Sequence, residues 1–206
     1  GCHPRTIYFT SGGTEADNLA LRSAVRDLGC QRIITSAAEH SAVIKTAESL
    51  QRTSGIQLEL VRHLEDGVID YAHLEELLAN GPKTLVSLMH ANNEVAVVQD
   101  LERIGQLCRD NQALFHTDTV QTMCHYRFDL RSLPVDFITC SAHKFHGPKG
   151  IGFLYIAQGL KVGGQIEWGS QERAVRGGTE NIHSIVGLSR AMDLAYGALE
   201  KHEQHI

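Results

Sequence analysis

The sequence predicts an α/β domain built on a mostly parallel sheet with helices on both faces. Three observations carry this. Short β-branched runs alternate along the chain with segments whose apolar residues recur at three- and four-residue steps. The runs are apolar at their centres, as strands covered on both faces require. The 206 residues, 42% hydrophobic and 21% charged, suit one soluble domain able to bury a core without disulfides or a structural metal.

In chain order, the first strand is read at 6–10 (TIYFT), and a helical pattern follows over 14–28. A strand at 32–35 (RIIT) leads to a helix over 42–53. A third strand at 57–62 (QLELVR) leads to a helix over 71–79, and a fourth at 84–89 (TLVSLM) to one over 101–111. The fifth strand is 113–117 (ALFHT). The last two, 136–140 (DFITC) and 152–156 (GFLYI), have no helical pattern between them, so one strand is expected to run antiparallel. A final helix spans about 182–203, with Ile185, Leu188, Met192 and Ala195 in helical register. That makes about seven strands. No internal repeat or low-complexity linker interrupts them, and only 4 prolines occur. A single domain, residues 1–206, is expected.

Composition removes several function classes. There are 19 basic against 24 acidic residues, a net charge of −5, which argues against a nucleic-acid partner. No apolar run approaches the roughly 18 residues of a membrane span, and GCHPRTIYFT lacks the regions of a signal peptide. Cys2, Cys30, Cys108, Cys124 and Cys140 are widely spaced with no CxxC pair. They read as reduced thiols of a cytoplasmic protein, not a disulfide framework or zinc site.

Open α/β sheets bind ligands beyond the carboxyl ends of their strands. Those ends carry SGGTEADN, SAAEH, HANNE, DTVQ and SAHKFHGPKG. Ser11-Gly12-Gly13-Thr14 opening a helix suits a phosphate, because the glycines allow close approach and the helix start offers free N–H groups. The competing reading is an ordinary cap in which Thr14 and Asp17 form a capping box. Neither GxGxxG nor a Walker pattern is present. Lys144 directly follows a buried strand, where an ammonium needs a partner or a depressed pKa, and it is a candidate Schiff-base former. Lys149 reads as a surface lysine. The HxxH pair of His143 and His146 lacks further ligands at metal spacing, so no metal is expected. Asp118, with Gln121 three residues on, suits a protonated ring nitrogen or, more simply, a helix cap. His40 and the pair Asn92/Asn93 also follow strands, where such residues commonly serve turns. Together a Lys, an Asp, a Gly-Thr helix start and a His match the needs of pyridoxal 5′-phosphate.

The segments TSGGTEADNLAL, AAEHSAV, SLMHANNEV, HTDTVQ, SAHKFHGPKGIGFLYI and RGGTENIHSIVGL resemble, in order, the cysteine desulfurases among class V aminotransferase-type enzymes. Selenocysteine lyases are close relatives. The resemblance implies the large domain of the fold-type I pyridoxal-phosphate transferases. It implies Lys144 as the lysine that holds the cofactor aldehyde and Asp118 as the acid on the pyridine nitrogen. Gln121 and Asn93 would lie near the phenolic oxygen and His40 on the ring face, sharing in proton transfer. Gly13, Thr14, Ser141 and His143 would form the phosphate cup, and Thr179 would reach the phosphate of the other subunit of a homodimer. The implied substrate is L-cysteine, or L-selenocysteine for a lyase, with a sulfur-acceptor protein as partner.

The chain departs from that pattern in places. Cys124-His125 stands for a Gly-Lys pair, Ala96 for a glycine, and residues 162–170 are less glycine-rich. The family's nucleophilic cysteine and carboxylate-binding arginine are expected beyond Ile206, and its N-terminal arm before Gly1. The 206 residues are therefore expected to bind the cofactor poorly and to be inactive alone, as a large-domain fragment or a truncated paralogue serving as a scaffold.

Overall fold

Strands and helices follow one another in the predicted order in a computed structural model, which describes residues 1–166 and 169–203. The order begins β1 (Ile7–Thr10), α1 (Gly13–Arg26), β2 (Arg32–Ser36), α2 (Ser41–Ser54), β3 (Gln57–Val61) and α3 (Tyr71–Ala79). It continues through β4 (Thr84–Ser87), the two-residue strands β5 (Ala91–Asn92) and β6 (Val97–Val98), α4 (Leu101–Asp110) and β7 (Leu114–Asp118). β8 (Phe137–Ser141), β9 (Gly152–Ile156), α5 (Ile182–Gly197) and α6 (Leu199–Glu203) complete it.

The main sheet has seven strands in the order β1-β9-β8-β7-β4-β2-β3. β9 runs antiparallel to both β8 and β1, and the remaining pairs are parallel. The expected reversal thus falls on β9, because residues 142–151 are too few for a crossover helix.

Alternate residues of each strand feed two cores. Ile33, Leu85, Phe137 and Leu154 pack under α1 and α2. Ile34, Val86, Phe115 and Ile138 pack with α3, α4 and α5 on the other face. Burial on both sides explains why these strands read as apolar runs rather than as half-polar ladders. Toward the carboxyl ends the α1-facing positions change character. Leu85, Leu114 and Phe137 are followed two residues on by Ser87, His116 and Thr139, all buried. The period-2 geometry carries the sheet from core to site along the same face.

Two details differ from the sequence reading. The predicted helix over 182–203 is broken: α5 ends at Gly197, a weak helix former, and the Ala198 N–H is shared between the carbonyls of Leu194 and Ala195. The β5–β6 hairpin was not expected, since two-residue strands are too short to show a period. Among the described residues no helix is long and apolar enough to cross a membrane.

Candidate functional site

A cavity of about 220 Å³ opens at the carboxyl ends of the central strands. Larger grooves lie elsewhere, about 1100 Å³ near the start of β2 and β3 and about 700 Å³ against α5, but no lysine lines either. The smaller cavity is where the ionisable side chains converge.

Its floor on one side is the start of α1. The helix is capped by Gly12, at φ 153°, with no side-chain cap. The competing reading, a capping box of Thr14 and Asp17, does not form: Gly12 is the cap and Asp17 is 1% exposed. Glu15 instead reaches back and accepts the Ser11 N–H at 2.8 Å. Its other contacts are to Arg176, at 2.8 and 3.3 Å. Against the upward push of burial, these bonds hold the Glu15 carboxyl below its usual range. The first-turn N–H groups at Gly13 and Thr14 are left facing the cavity end of the helix, an anion site by geometry and dipole. Gly152 keeps the neighbouring loops close. It pairs with both Thr10 and Ser141, and a Cβ there would strike the Cys140 carbonyl oxygen and lie 2.9 Å from Gly12 Cα.

The opposite wall is β7. Asp118 is 5% exposed, and its Oδ1 accepts the Val120 N–H at 2.7 Å. Burial raises its carboxyl above the ordinary value, opposed by that hydrogen bond and by the charge of Lys144. Gln121 donates its side-chain amide to Asn93 Oδ1 at 3.1 Å. His40 is the N-cap of α2, its Nδ1 accepting the Ala42 N–H at 3.1 Å. The neutral ring therefore carries its proton on Nε2. The His40 loop is clamped to the loop after β4: Glu39 Oε1 accepts the Met89 N–H at 2.5 Å, and the Asn92 amide donates to the Ala38 carbonyl.

Lys144 lies in a 3-10 turn, Ala142–Phe145, directly after β8. The turn lifts Lys144 clear of the strand's buried surroundings, and it is exposed at the cavity rim. In the same segment Ser141 Oγ and His143 Nδ1 are 2.9 Å apart. Lys149 does not line the cavity. Nor does His146, which ends the turn at φ 64°, so the HxxH pair does not converge.

The cavity thus brings together Gly13, Thr14, His40, Asn93 and Asp118 with Gln121, Ser141, His143 and Lys144. Thr179 is not among them. It lines a separate cavity of about 240 Å³ with Ser11, Glu172 and Arg176. The sequence reading missed Met89 and gave Asp17 only a capping role, although both line the cavity. Asp17 stands four residues after Gly13, and that spacing on one helix face was the available signal. His90 and His116 do not line the cavity. His90 is buried edge-on to Tyr126 and Phe128, and burial pushes it down to about 4. His116 is fully buried beneath the floor, pushed down to about 3 by burial. No cysteine or arginine lines the cavity. Cys30, Cys108, Cys124 and Cys140 are buried, and only Cys2 is exposed.

These residues fit a phosphate-bearing aromatic aldehyde: an uncapped helix start, a buried acid at the end of a strand, and a reachable primary amine. Comparison with known proteins agrees. A model of the aminotransferase class-V family matches residues 2–206. The cysteine desulfurase IscS of Vibrio vulnificus is 41% identical over 206 residues, covering 98% of this chain and 50% of its own. A solved NifS-like protein superposes with a TM-score of 0.94 at 38% identity, over 100% of this chain and 57% of that one. SspA, solved in complex with cysteine, gives a TM-score of 0.85 at 36% identity, over 94% and 56%. The chain spans about half the length of the curated relatives it matches.

Proposed function

Since the chain belongs to the aminotransferase class-V family, we propose that it forms the cofactor-binding part of a cysteine desulfurase. The family depends on pyridoxal 5′-phosphate. The overall reaction converts L-cysteine and an enzyme thiol into L-alanine and an enzyme persulfide, whose outer sulfur passes to an acceptor protein. The observation that carries the reading is the convergence of Lys144, Asp118, His40 and the uncapped start of α1 on one cavity.

When bound, pyridoxal phosphate supplies an aldehyde for an amine and a protonated ring that accepts electrons. The chain's own residues do the rest. Gly13, Thr14, Ser141 and His143 hold the phosphate, the first two through the helix start and the last two through side chains. Asp118 holds the proton on the ring nitrogen. The Lys144 charge, which opposes its upward shift, helps keep Asp118 ionised. The joined amides of Gln121 and Asn93 orient the phenolic edge, and His40, fixed by its cap bond, covers the ring. Lys144 holds the aldehyde, and once released its Nζ takes and returns a proton at the substrate Cα.

The nucleophilic thiol is not one of the five present. Burial pushes Cys30 up to about 11 and Cys124 up to about 12, and raises Cys108 and Cys140 as well. Cys2 lines the groove against α5, not this cavity. Nucleophilic thiolates need the opposite environment. We infer that the 206 residues alone do not desulfurate cysteine. We place the working enzyme in the cytoplasm, as a homodimer in which Thr179 serves the other subunit's phosphate; its place in a separate cavity supports that role.

The test is to add pyridoxal phosphate, reduce with borohydride and map the modified lysine. Lys144 is expected, with loss of labelling in Lys144→Ala. A label on Lys149, or none at all, would overturn the assignment.

A further inference from the structure

Beneath the cavity floor lies a buried hydrogen-bonded row that the proposed reaction does not use. Ser87 Oγ and His116 Nδ1 are 2.8 Å apart, and His116 Nε2 lies 3.0 Å from Thr139 Oγ1. Thr139 in turn hydrogen-bonds the carboxyl of Asp17. The parallel ladders set this up, since Ser87 is beside His116 and Thr139 beside Asp118. Asp17 sits in the first turns of α1 and lines the same cavity as Asp118.

The row carries no formal charge to balance a carboxylate. His116 Nε2 is 3.6 Å from Asp17 Oδ1, but burial keeps that imidazole neutral down to about 3. The other ionisable groups acting on Asp17 are Asp118 and Glu39, both acids. The cation of the site, Lys144, acts on Asp118. Asp17 Oδ1 also has no hydrogen-bond partner. As half of a carboxylate it would be a buried charge without solvation. As the oxygen of a neutral acid it costs far less.

We propose that Asp17 is a positioning residue held as a neutral acid, so that the single negative charge of the Asp17–Asp118 pair rests on Asp118, where the ring nitrogen needs it. Two like charges on one cavity cannot both be favourable without a cation for each, and the unpartnered Oδ1 and neutral His116 mark Asp17 as the one that stays protonated, against the Thr139 hydrogen bond, which favours the carboxylate. Burial and the Asp118 charge raise the Asp17 carboxyl well above its ordinary value, in agreement. This inference rests on the cofactor reading for its consequence but not for its measurement.

Carboxyl carbon resonances of the cofactor-free chain, carrying aspartate labelled at the side-chain carboxyl, decide the protonation state. One aspartate signal is expected to stay in the neutral-acid position at pH 7 and to vanish in Asp17→Asn. An Asp17 signal already ionised at pH 7 would refute the proposal. Failure of Asp17→Asn to fold would count against it too, since asparagine reproduces a neutral acid's shape. With pyridoxal phosphate added, Asp17→Asn should bind within about threefold of wild type and Asp118→Asn at least about tenfold more weakly. A tenfold loss in Asp17→Asn would also refute it. If no variant binds pyridoxal phosphate, the cofactor reading fails while the resonance measurement still stands.

Discussion

Gln121 gives a side-chain amide hydrogen to Asn93 Oδ1 at 3.1 Å, tying the loop after β7 to the β5–β6 hairpin at the mouth of the Lys144 cavity. Neither residue holds the other by burial, so the pair acts through one shared bond. Asn93→Ala and Gln121→Ala are each expected to weaken pyridoxal phosphate binding by about 3- to 30-fold. The double variant should lose less than the product of the two, because the second change has no shared bond left to break. Absorbance titration of all four proteins measures this. Strict multiplicativity would mean the bond is irrelevant to the site.

Gly152 is the contact point between the two halves of the proposed phosphate cup. A methyl group there meets the Cys140 carbonyl and Gly12 Cα, neither of which is a flexible side chain. Gly152→Ala is expected to cost about 1–3 kcal/mol of stability and to reduce phosphate and pyridoxal phosphate affinity together. Denaturant melts and phosphate competition test both effects. Normal binding with only reduced stability would show that the close approach serves packing alone.

Glu39 is buried, with Oε1 on the Met89 N–H and Oε2 unpartnered. Burial first, and the Asp118 charge as well, raise its carboxyl well above the ordinary 4.5. The folded protein therefore keeps a proton that the unfolded chain gives up above that value. Stability from this group is complete below about pH 4.5 and is lost as pH rises toward the folded value, at up to about 1.4 kcal/mol per unit. Glu39→Gln should gain on wild type over that rise and then stay level. Glu39→Ala, which strands the Met89 N–H, should lose about 1–3 kcal/mol throughout. His90 and His116, lowered from 6.5 to about 4 and about 3, impose the opposite slope. They cancel when each variant is subtracted from wild type at the same pH.

Ala96 is exposed and adopts φ 54°, a left-handed conformation that costs an L-residue about 1–2 kcal/mol. The sequence marked this position as one where the related enzymes carry glycine, and the hairpin supplies the physical reason. Ala96→Gly is expected to raise stability by up to about 1 kcal/mol, part of the relief being offset by glycine's greater freedom when unfolded. An unchanged or lower thermal midpoint would mean the turn is not strained.

The fold was legible because each strand is long enough, and buried enough, to read as an apolar run. The extended reading of the last helix failed at Gly197, where apolar spacing continues but helix propensity does not. For the site, residues at strand ends could be picked out because their type changes abruptly, as from Phe137 to Thr139. Asp17 and Glu39 were not legible in the same way. Their meaning lies in what surrounds them: each has a buried oxygen without a partner, and no spacing rule reveals that. Only the burial expected around Lys144 was misread, since a four-residue turn separates it from the strand it follows.

The switch from Leu114 to His116 to Asp118 on the α1-facing side of β7 makes backbone pairing itself a determinant of chemistry. A slip of one residue against β4 or β8 would turn Phe115 and Thr117 toward α1 and send His116 and Asp118 into the other core. Such a state could retain strand and helix content, yet it would have no acid for a ring nitrogen. Cofactor binding by this chain would therefore report sheet register directly, separating a correctly paired fold from a collapsed one that merely looks native by its secondary structure.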